Sequence, residues 1–182
     1  MASESAKIKH KIEKYLDGEV VEIGCGDEPV KEGVFGVDGR DFPCVKYRTS
    51  DLYNLPTQLP DKLESFDCCF SSHVLEHLPD SFRCVLEWSQ FVKKDGYFIL
   101  YLPEGSAYDN FGNPEHFHDT RYEQFLFWFK RAFCGEALNF TGLPYFHPLF
   151  ELIESGLDVG ENRYSFYLVD RKSTRPELQS HH

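Results

Sequence analysis

The sequence predicts an α/β fold in which a mostly parallel, doubly wound sheet is covered by helices on both faces. Short apolar segments with strand character alternate with segments of helical periodicity along the chain. The segment 66–70 is apolar enough for a parallel strand that is buried on both faces. The length of 182 residues suits one domain. We therefore expect a single domain over residues 1–172 and a flexible C-terminal tail over residues 173–182.

Six strands are predicted from these apolar segments, and a seventh segment is ambiguous. The predicted strands cover residues 19–23, 34–38, 45–47, 66–70, 97–102 and 163–169. The strand at 97–102 is the clearest, and Pro103 stops it. Residues 150–157 fit either a helix closed by Gly156 or a strand that pairs back, and periodicity does not separate the two. The last strand, 163–169, is expected to complete the sheet.

Three helices are predicted between and before these strands. Residues 3–16 place Ile8, Ile12 and Leu16 on one helical face, and Asp17-Gly18 ends that helix. Residues 81–94 carry an apolar face, with Asp80 as the N-cap and the lysines before Gly96 at the end. Residues 122–133 are helical and strongly aromatic, whereas residues 104–118 are expected to form a loop.

The charge and the cysteines exclude several classes of protein. Nineteen basic against thirty acidic residues give a net charge of −11, the wrong sign for a protein that binds nucleic-acid phosphates broadly. No apolar run approaches the ~20 residues of a membrane span, and no signal peptide opens the chain. We expect a cytoplasmic protein without nucleic-acid or membrane partners. The six cysteines form no C-x-x-C pair and are expected to be buried, reduced thiols, with Cys68 and Cys69 on opposite faces of a strand.

Polar residues come after several predicted strands, at the edge where ligands bind in such sheets. Gly24-Cys25-Gly26 comes directly after the first strand, where glycine lets the backbone turn sharply and approach a ligand. Asp38 ends the second strand, where a carboxylate can accept both hydroxyls of a ribose. Asp51 lies after the third strand and could bind an exocyclic amine of adenine. The alternatives are a plain tight turn at the glycines and a turn-capping role for Asp51.

An ordered series of motifs connects these features to a known family. The series is Glu22-Ile23-Gly24-Cys25-Gly26, Val37-Asp38, Ser50-Asp51-Leu52, Phe66-Asp67, Ser72-His73-Val74-Leu75-Glu76-His77 and Lys93-Lys94-Asp95-Gly96-Tyr97. It resembles the class I S-adenosylmethionine-dependent methyltransferases, particularly their small type-11-like members, over residues 19–103. The resemblance implies a Rossmann-like, seven-stranded sheet with an antiparallel last strand, and S-adenosylmethionine as cofactor with S-adenosylhomocysteine as product.

The resemblance also implies roles for individual residues. Gly24, Cys25 and Gly26 would line the methionine part of the cofactor, with Glu22 supporting their loop. Asp38 and the adjacent Gly39 would hold the ribose, and Asp51 and Leu52 would flank the adenine. Ser71, Ser72 and His73 would lie beside the sulfonium and the substrate mouth. Glu76 and His77 match a common Leu-Glu-His helix start that is more often architectural than catalytic.

Two departures from the family pattern concern the first crossover. The usual third glycine is missing, and only eleven residues separate Gly26 from Asp38. A loop and a full helix need roughly 20 residues there, so the first crossover helix is predicted to be absent or reduced to one turn. The N-terminal helix is expected to cover the sheet surface that this helix would protect.

Three histidines are the candidates for removing a proton from the acceptor. His73 lies after the fourth strand, and His116 and His118 lie in the loop after the fifth; a histidine near neutral pKa suits deprotonation of a hydroxyl. The alternatives are that His116 and His118 only hydrogen-bond the loop to the helix behind it, and that His73 only packs against the cofactor loop. His116, His118 and Asp119 could be imagined as metal ligands, but no paired carboxylates support this, and no metal site is predicted.

The residues after the fourth strand limit the chemical class of the methyl acceptor and the set of alternative functions. Ser71-Ser72-His73 replaces the Asn/Asp-Pro-Pro-aromatic signature of nucleobase amino methylation, which favours a hydroxyl of a small molecule or glycan as the acceptor. A carboxyl or an amine stays open as an alternative acceptor. Aminopropyl transfer on the same fold favours aspartates at this position, which are absent. A non-catalytic nucleoside-binding or interaction module stays open as a further alternative. The chain is expected to be a monomer or a homodimer.

Overall fold

The structure is a computed structural model that describes residues 3–135, 148–160 and 163–173. The predicted C-terminal tail therefore lies outside the described residues, except for Ser173. The described residues include all the candidate site residues that the sequence predicts.

Seven strands form one sheet. They are β1 Val20–Ile23, β2 Phe35–Asp38, β3 Val45–Arg48, β4 Phe66–Ser72, β5 Val92–Pro103, β6 Phe150–Gly160 and β7 Arg163–Lys172. Their order is β3-β2-β1-β4-β5-β7-β6. Strands β1 to β5 pair in parallel, and β7 is antiparallel to both of its neighbours, β5 and β6. The predicted fold class is confirmed, and the ambiguous segment at 150–157 is a strand.

In the described part of the chain, four α-helices flank the sheet. They are α1 Glu4–Ile12, α2 Leu55–Gln58, α3 Ser81–Ser89 and α4 Tyr122–Phe133. A 3-10 turn at Glu13–Tyr15 continues α1, and further 3-10 turns cover Pro60–Lys62, Leu75–His77 and Asn110–Gly112. The boundaries of α4 agree with the prediction. Asp80 caps α3 by accepting a hydrogen bond from the backbone N–H of Arg83, also as predicted.

The predicted end of the helix over residues 81–94 is wrong. Helix α3 ends at Ser89, and residues 92–94 already belong to β5. The backbone N–H groups of Ser65 and Phe66 donate to the carbonyl of Phe91, which draws the chain into the sheet. Lys93 then pairs with Asp67 at 2.8 Å. Strand pairing therefore overrides a helical pattern of apolar residues at this point.

The two faces of the sheet are covered by different parts of the chain. On one face, Ile8 and Ile12 of α1 pack with Cys68 and Ile99 of the sheet. On the other face, α3 and α4 supply a core that includes Trp88 and Phe129. Residues 24–34 contain no helix, so the predicted loss of the first crossover helix is confirmed. Helix α1 covers the face that this crossover would have covered, as expected.

The cysteines are divided between the two faces in the same way. Cys68 packs on the α1 face and Cys69 on the opposite face. None of the six forms a disulfide. Four are buried, which confirms the prediction for Cys25, Cys68, Cys69 and Cys84, whereas Cys44 and Cys134 are half-buried.

Candidate functional site

The glycine turn after β1 has one crowded and one open glycine. Gly24 has φ +77°, and a Cβ there would lie 2.2 Å from Val74 Cγ2. Gly26 has φ +59°, and a Cβ there would meet no atom within 4 Å. Both positions favour glycine because of their left-handed backbone. The backbone N–H of Gly24 donates to the carbonyl of Val37 at 2.8 Å, which holds the turn beside the end of β2.

Asp38 lies at the end of β2, next to this turn. Its Oδ2 accepts a hydrogen bond of 3.0 Å from the N–H of Gly26, and its Oδ1 accepts one of 2.9 Å from the N–H of Arg40. The residue is 7% exposed. The exposed Arg40 side chain places Nε 3.6 Å from Oδ1. Since an ionised carboxylate offers about four acceptor positions, two remain for a ligand.

Glu22 supports the loop after the glycine turn. Its carboxylate accepts hydrogen bonds of 2.7 Å from the Ser5 hydroxyl and 2.7 Å from the Val30 N–H. The side chain is fully buried, and this burial raises the pKa of Glu22 to about 7. Glu22 thus connects helix α1 to the shortened crossover.

Asp51 and Leu52 lie in the exposed turn before α2. Asp51 accepts hydrogen bonds from the Tyr53 N–H at 3.2 Å and from Asn54 Nδ2 at 2.8 Å, which is a turn-capping arrangement. The carbonyl of Leu52 accepts a bond of 2.8 Å from Trp88 Nε1. Gly39 is exposed at the end of β2.

Two serines end β4, next to β1. The Ser71 hydroxyl donates to the carbonyl of Ile23 at 3.0 Å. The Ser72 hydroxyl is buried and has no hydrogen-bond partner among the described residues. An unpartnered buried hydroxyl is uncommon in proteins and is a candidate for contact with a ligand.

His73 comes next, with φ +52°, and is tightly enclosed. Its Nε2 lies 2.9 Å from the Ser165 hydroxyl, and its ring packs against Tyr101 and Tyr164. Burial lowers the pKa of His73 to about 3. The ring is therefore neutral at ordinary pH, and it is a weak base.

A second polar cluster lies beside His73 and was not predicted as a site. It consists of Glu76, His77 and His116, whose ligand atoms all lie within 4.8 Å of one another. Glu76 is fully buried, which raises its pKa to about 8. The spacing His73-x-x-Glu76-His77 places three such groups at the end of one strand, and this was the available signal in the sequence. His116 follows Glu76 by about forty residues, and its contact with Glu76 and His77 could not be deduced from this spacing.

His118 is not a member of this cluster. Its Nε2 lies 2.8 Å from the carbonyl oxygen of Leu78. It also lines a cleft of about 270 Å³ between α3 and α4, together with Leu75, Phe82, Phe117, Arg121 and Trp128. A larger cavity of about 680 Å³ lies at the opposite end of the sheet, where β5 begins, remote from every predicted site residue.

The groups at the ends of β1, β2 and β4 suit a nucleoside cofactor in their chemistry. Gly26 faces open space, Asp38 keeps unused acceptor positions, and Ser72 has an unpartnered hydroxyl. The carboxylate of Asp38 is nearly covered, so the end of the Arg40 side chain must move aside before a ribose can bind there. The residues therefore fit S-adenosylmethionine, with that one adjustment.

Comparison with protein families finds one match. Residues 31–100 match the type-11 family model described as "Methyltransferase domain". The matched range includes Asp38, Asp51 and the segment from Ser71 to His77, and it begins after the glycine turn. A comparison with curated protein sequences finds no significant match.

Solved structures of methyltransferases share the fold over almost the whole chain. An S-adenosylmethionine-dependent methyltransferase from Archaeoglobus fulgidus is 16% identical, with TM-score 0.60 and coverage of 92% of each chain. An S-adenosylmethionine-dependent methyltransferase from Mesorhizobium loti is 13% identical, with TM-score 0.63, covering 94% of this chain and 99% of that chain. The Burkholderia thailandensis 1,6-didemethyltoxoflavin-N1-methyltransferase, solved with 1,6-didemethyltoxoflavin and S-adenosylhomocysteine, is 14% identical, with TM-score 0.63, covering 94% and 80%.

These findings confirm the predicted resemblance to class I S-adenosylmethionine-dependent methyltransferases. The family match over residues 31–100 and the shared fold make the chain similar to these enzymes. They do not identify the acceptor. Among the described residues, no helix has the length and apolar character needed to cross a membrane.

Proposed function

We propose that this protein transfers a methyl group from S-adenosylmethionine to a hydroxyl oxygen of a small molecule or glycan. One observation supports this best. The glycine turn, Asp38 and Ser72 lie at the ends of β1, β2 and β4, which are adjacent in the sheet. The strand order reverses between β1 and β4, and α/β sheets bind their ligands at that position.

The cofactor residues are assigned from this arrangement. Gly24, Cys25 and Gly26 line the methionine part, with Glu22 holding their loop. Asp38 binds the ribose hydroxyls through its unused acceptor positions. A further set flanks the remainder of the cofactor: Gly39, Asp51, Leu52, Ser71 and Ser72. Asp51 is already a turn cap, so its contribution to adenine binding is the weakest of these assignments.

S-adenosylmethionine supplies a methyl group that is already activated by the sulfonium, and the electron pair of the broken C–S bond stays on sulfur. The work of this chain is to hold the acceptor oxygen in line and to receive its proton. His73, His116 and His118 are proposed for these tasks. Because the ring of His73 is a weak base, its contribution is better explained by positioning through Ser165 than by proton transfer.

The cleft lined by His118 is proposed as the acceptor site. Its aromatic side chains, Phe117 and Trp128, are half or more exposed, and Arg121 and Asp119 supply charged groups at the rim. Such a lining suits a sugar or small aromatic ring that carries hydroxyls. A volume of about 270 Å³ favours a small acceptor or the end of a glycan. We expect the protein to act in the cytoplasm as a monomer or homodimer, without nucleic-acid partners.

Two measurements test the proposal. Calorimetry with S-adenosylmethionine and S-adenosylhomocysteine is expected to give one site per chain. Release of S-adenosylhomocysteine is then measured over a panel of hydroxylated small molecules and oligosaccharides. Absence of cofactor binding would favour the non-catalytic module, and turnover only with decarboxylated S-adenosylmethionine would favour aminopropyl transfer. Unchanged turnover in a His73→Ala/His116→Ala/His118→Ala variant would rule out the histidine assignments.

A further inference from the structure

Two segments distant in the sequence meet at the cluster of Glu76, His77 and His116. Glu76 and His77 lie on the 3-10 turn after β4, and His116 lies in the loop between β5 and α4. The N–H of Phe117 donates to the carbonyl of Glu76 at 2.7 Å, so the two segments are joined by a backbone hydrogen bond at the cluster itself. This bond holds the two backbone segments together, so the three side chains stay close to one another.

The carboxylate of Glu76 has no hydrogen-bond partner on any other described residue. Its side chain is 0% exposed, and neither oxygen accepts a hydrogen bond from another described residue. Oε1 lies 3.7 Å from His73 Nδ1 and 3.9 Å from His77 Nε2. A buried, ionised carboxylate without partners is strongly unfavourable, so such a group takes up a proton, pairs with a cation or binds a metal. The unpartnered carboxylate is thus an observation, separate from the clustering, that suits a cation ligand.

The two histidines present nitrogen atoms suited to a metal. His77 Nδ1 lies 3.2 Å from the carbonyl of Glu115, so in the Nδ1–H tautomer it donates there and leaves the lone pair of Nε2 directed to the side of Glu76. A second hydrogen bond of this kind commonly orients histidines that bind metals. His116 packs edge-on against His77, with ring centroids 4.5 Å apart, and its Nδ1 is buried without a partner among the described residues.

We propose that Glu76, His77 and His116 together bind one divalent transition-metal ion. Ligands at 2.0–2.2 Å from such an ion are roughly 3 to 3.5 Å apart, so the cluster must contract by about 1 Å through side-chain rotation. Two imidazoles and one carboxylate suit Zn²⁺, Fe²⁺ or Mn²⁺, whereas Mg²⁺ and Ca²⁺ prefer oxygen ligands alone. His73 lies outside the set whose ligand atoms are all within 4.8 Å.

Three protein ligands leave at least one coordination position open. Sites that keep such a position bind water or substrate there, unlike closed structural sites. The cluster adjoins the end of β4, so an acceptor oxygen is the proposed occupant of this position. That role rests on the proposed methyl transfer, whereas the binding of the ion does not.

Metal binding is tested on the full chain without cofactor or acceptor. His181→Ala and His182→Ala are introduced first, because histidines near the C-terminus could bind metal separately. Chelator-treated protein is titrated with Zn²⁺ and Mn²⁺ by calorimetry, and its metal content after reconstitution is measured by mass spectrometry. We expect one ion per chain, with affinity at least tenfold lower in Glu76→Gln, His77→Ala and His116→Ala. His10→Ala, an exposed histidine on α1, is the matched control and is expected to bind as the parent does.

Two further readouts separate a binding site from a structural role. X-ray absorption of the Zn²⁺ form is expected to show nitrogen and oxygen ligands only, and Zn²⁺ is expected to raise the melting temperature of the parent but not of Glu76→Gln. Absence of binding, a sulfur ligand, binding of Mg²⁺ alone, or unchanged affinity in Glu76→Gln would each overturn the proposal. None of these results depends on methyl transfer, so either proposal can fail while the other stands.

Discussion

The N–H of Gly26 donates a hydrogen bond of 3.0 Å to Asp38 Oδ2, which joins the glycine turn after β1 to the carboxylate at the end of β2. The two parts of the proposed cofactor site are therefore one unit. A ligand that contacts the turn lies within reach of Asp38, and a change in either residue is expected to affect the other.

Asp38→Asn is expected to lower the affinity for S-adenosylmethionine by tenfold to a hundredfold. Hydrogen bonds to a charged group contribute roughly 1.5–3 kcal/mol, and the amide keeps only one acceptor oxygen. Calorimetry measures the affinity, and thermal unfolding checks the fold. Asp41→Asn is the control, because Asp41 is an exposed carboxylate three residues further along. Unchanged affinity in a folded Asp38→Asn variant would contradict the ribose assignment.

Alanine at the two glycines of the turn is expected to have different effects. Gly26→Ala places its Cβ in open space, so it is expected to cost only roughly 1–2 kcal/mol of stability from the left-handed backbone while weakening cofactor binding. Gly24→Ala must also displace Val74, so a loss of roughly 3 kcal/mol or more is expected. Chemical denaturation and calorimetry measure the two effects. Full cofactor affinity in Gly26→Ala would show that the open space is not part of the site.

Glu22→Gln is expected to flatten the dependence of stability on pH. The folded-state pKa of Glu22 is raised from 4.5 to about 7, so the folded state retains a proton that the unfolded state loses. The wild type therefore loses stability as the pH rises from about 4.5 to 7, by at most about 3 kcal/mol. Glutamine can still accept from Val30 and donate to Ser5, so the variant should match the wild type near pH 4 and exceed it at pH 8.

Urea denaturation across this pH range checks the effect. Glu19→Gln, at an exposed carboxylate just before β1, is the matched control. Equal slopes for wild type and Glu22→Gln would mean that Glu22 does not take up this proton.

Asp170→Asn is expected to stabilise the protein at neutral pH by about 1 to 3 kcal/mol. Asp170 is fully buried in β7, and neither of its oxygens has a hydrogen-bond partner among the described residues. Burial raises its pKa well above 3.8, so folding at neutral pH must protonate the carboxylate or bury its charge. The gain should shrink as the pH falls towards 4, where the unfolded state is also protonated.

Asp158→Asn provides the opposite comparison. Asp158 is also buried, but Tyr101 donates to it at 2.9 Å, and Arg163 lies 3.5 Å away. Removing this charge is expected to destabilise the protein. Thermal unfolding measures the change in stability of both variants. If both changes had the same sign, hydrogen-bond and ion pairing of the carboxylate would not determine whether its removal stabilises the protein.

The strands were predictable because each is a short apolar run that ends at a polar or turn residue. Asp38 could be assigned for the same reason, since the last residue of a parallel strand lies at the ligand-binding edge. The end of α3 could not be predicted, because the apolar spacing up to Val92 suits a helix while pairing with Phe66 draws that residue into β5. This strand pairing joins residues that are distant in the sequence, so the local pattern of apolar residues does not predict it.

The candidate site was predictable to the same degree. The residues directly after strands could be named, whereas the meeting of Glu76 and His116 depends on the path of about forty residues of intervening chain. The covered state of Asp38 was also unpredictable, because it depends on hydrogen bonds from the backbone of Gly26 and Arg40.

Helix α1 replaces a crossover helix, and this affects the order in which the molecule can assemble during synthesis. Ile8 and Ile12 are synthesised before the strands that they cover, and the cluster that they join includes Tyr167 and Val169 of β7. The apolar side of the helix is therefore not completely covered until β7 has been translated. A chaperone that shields nascent apolar segments would find a target at this helix.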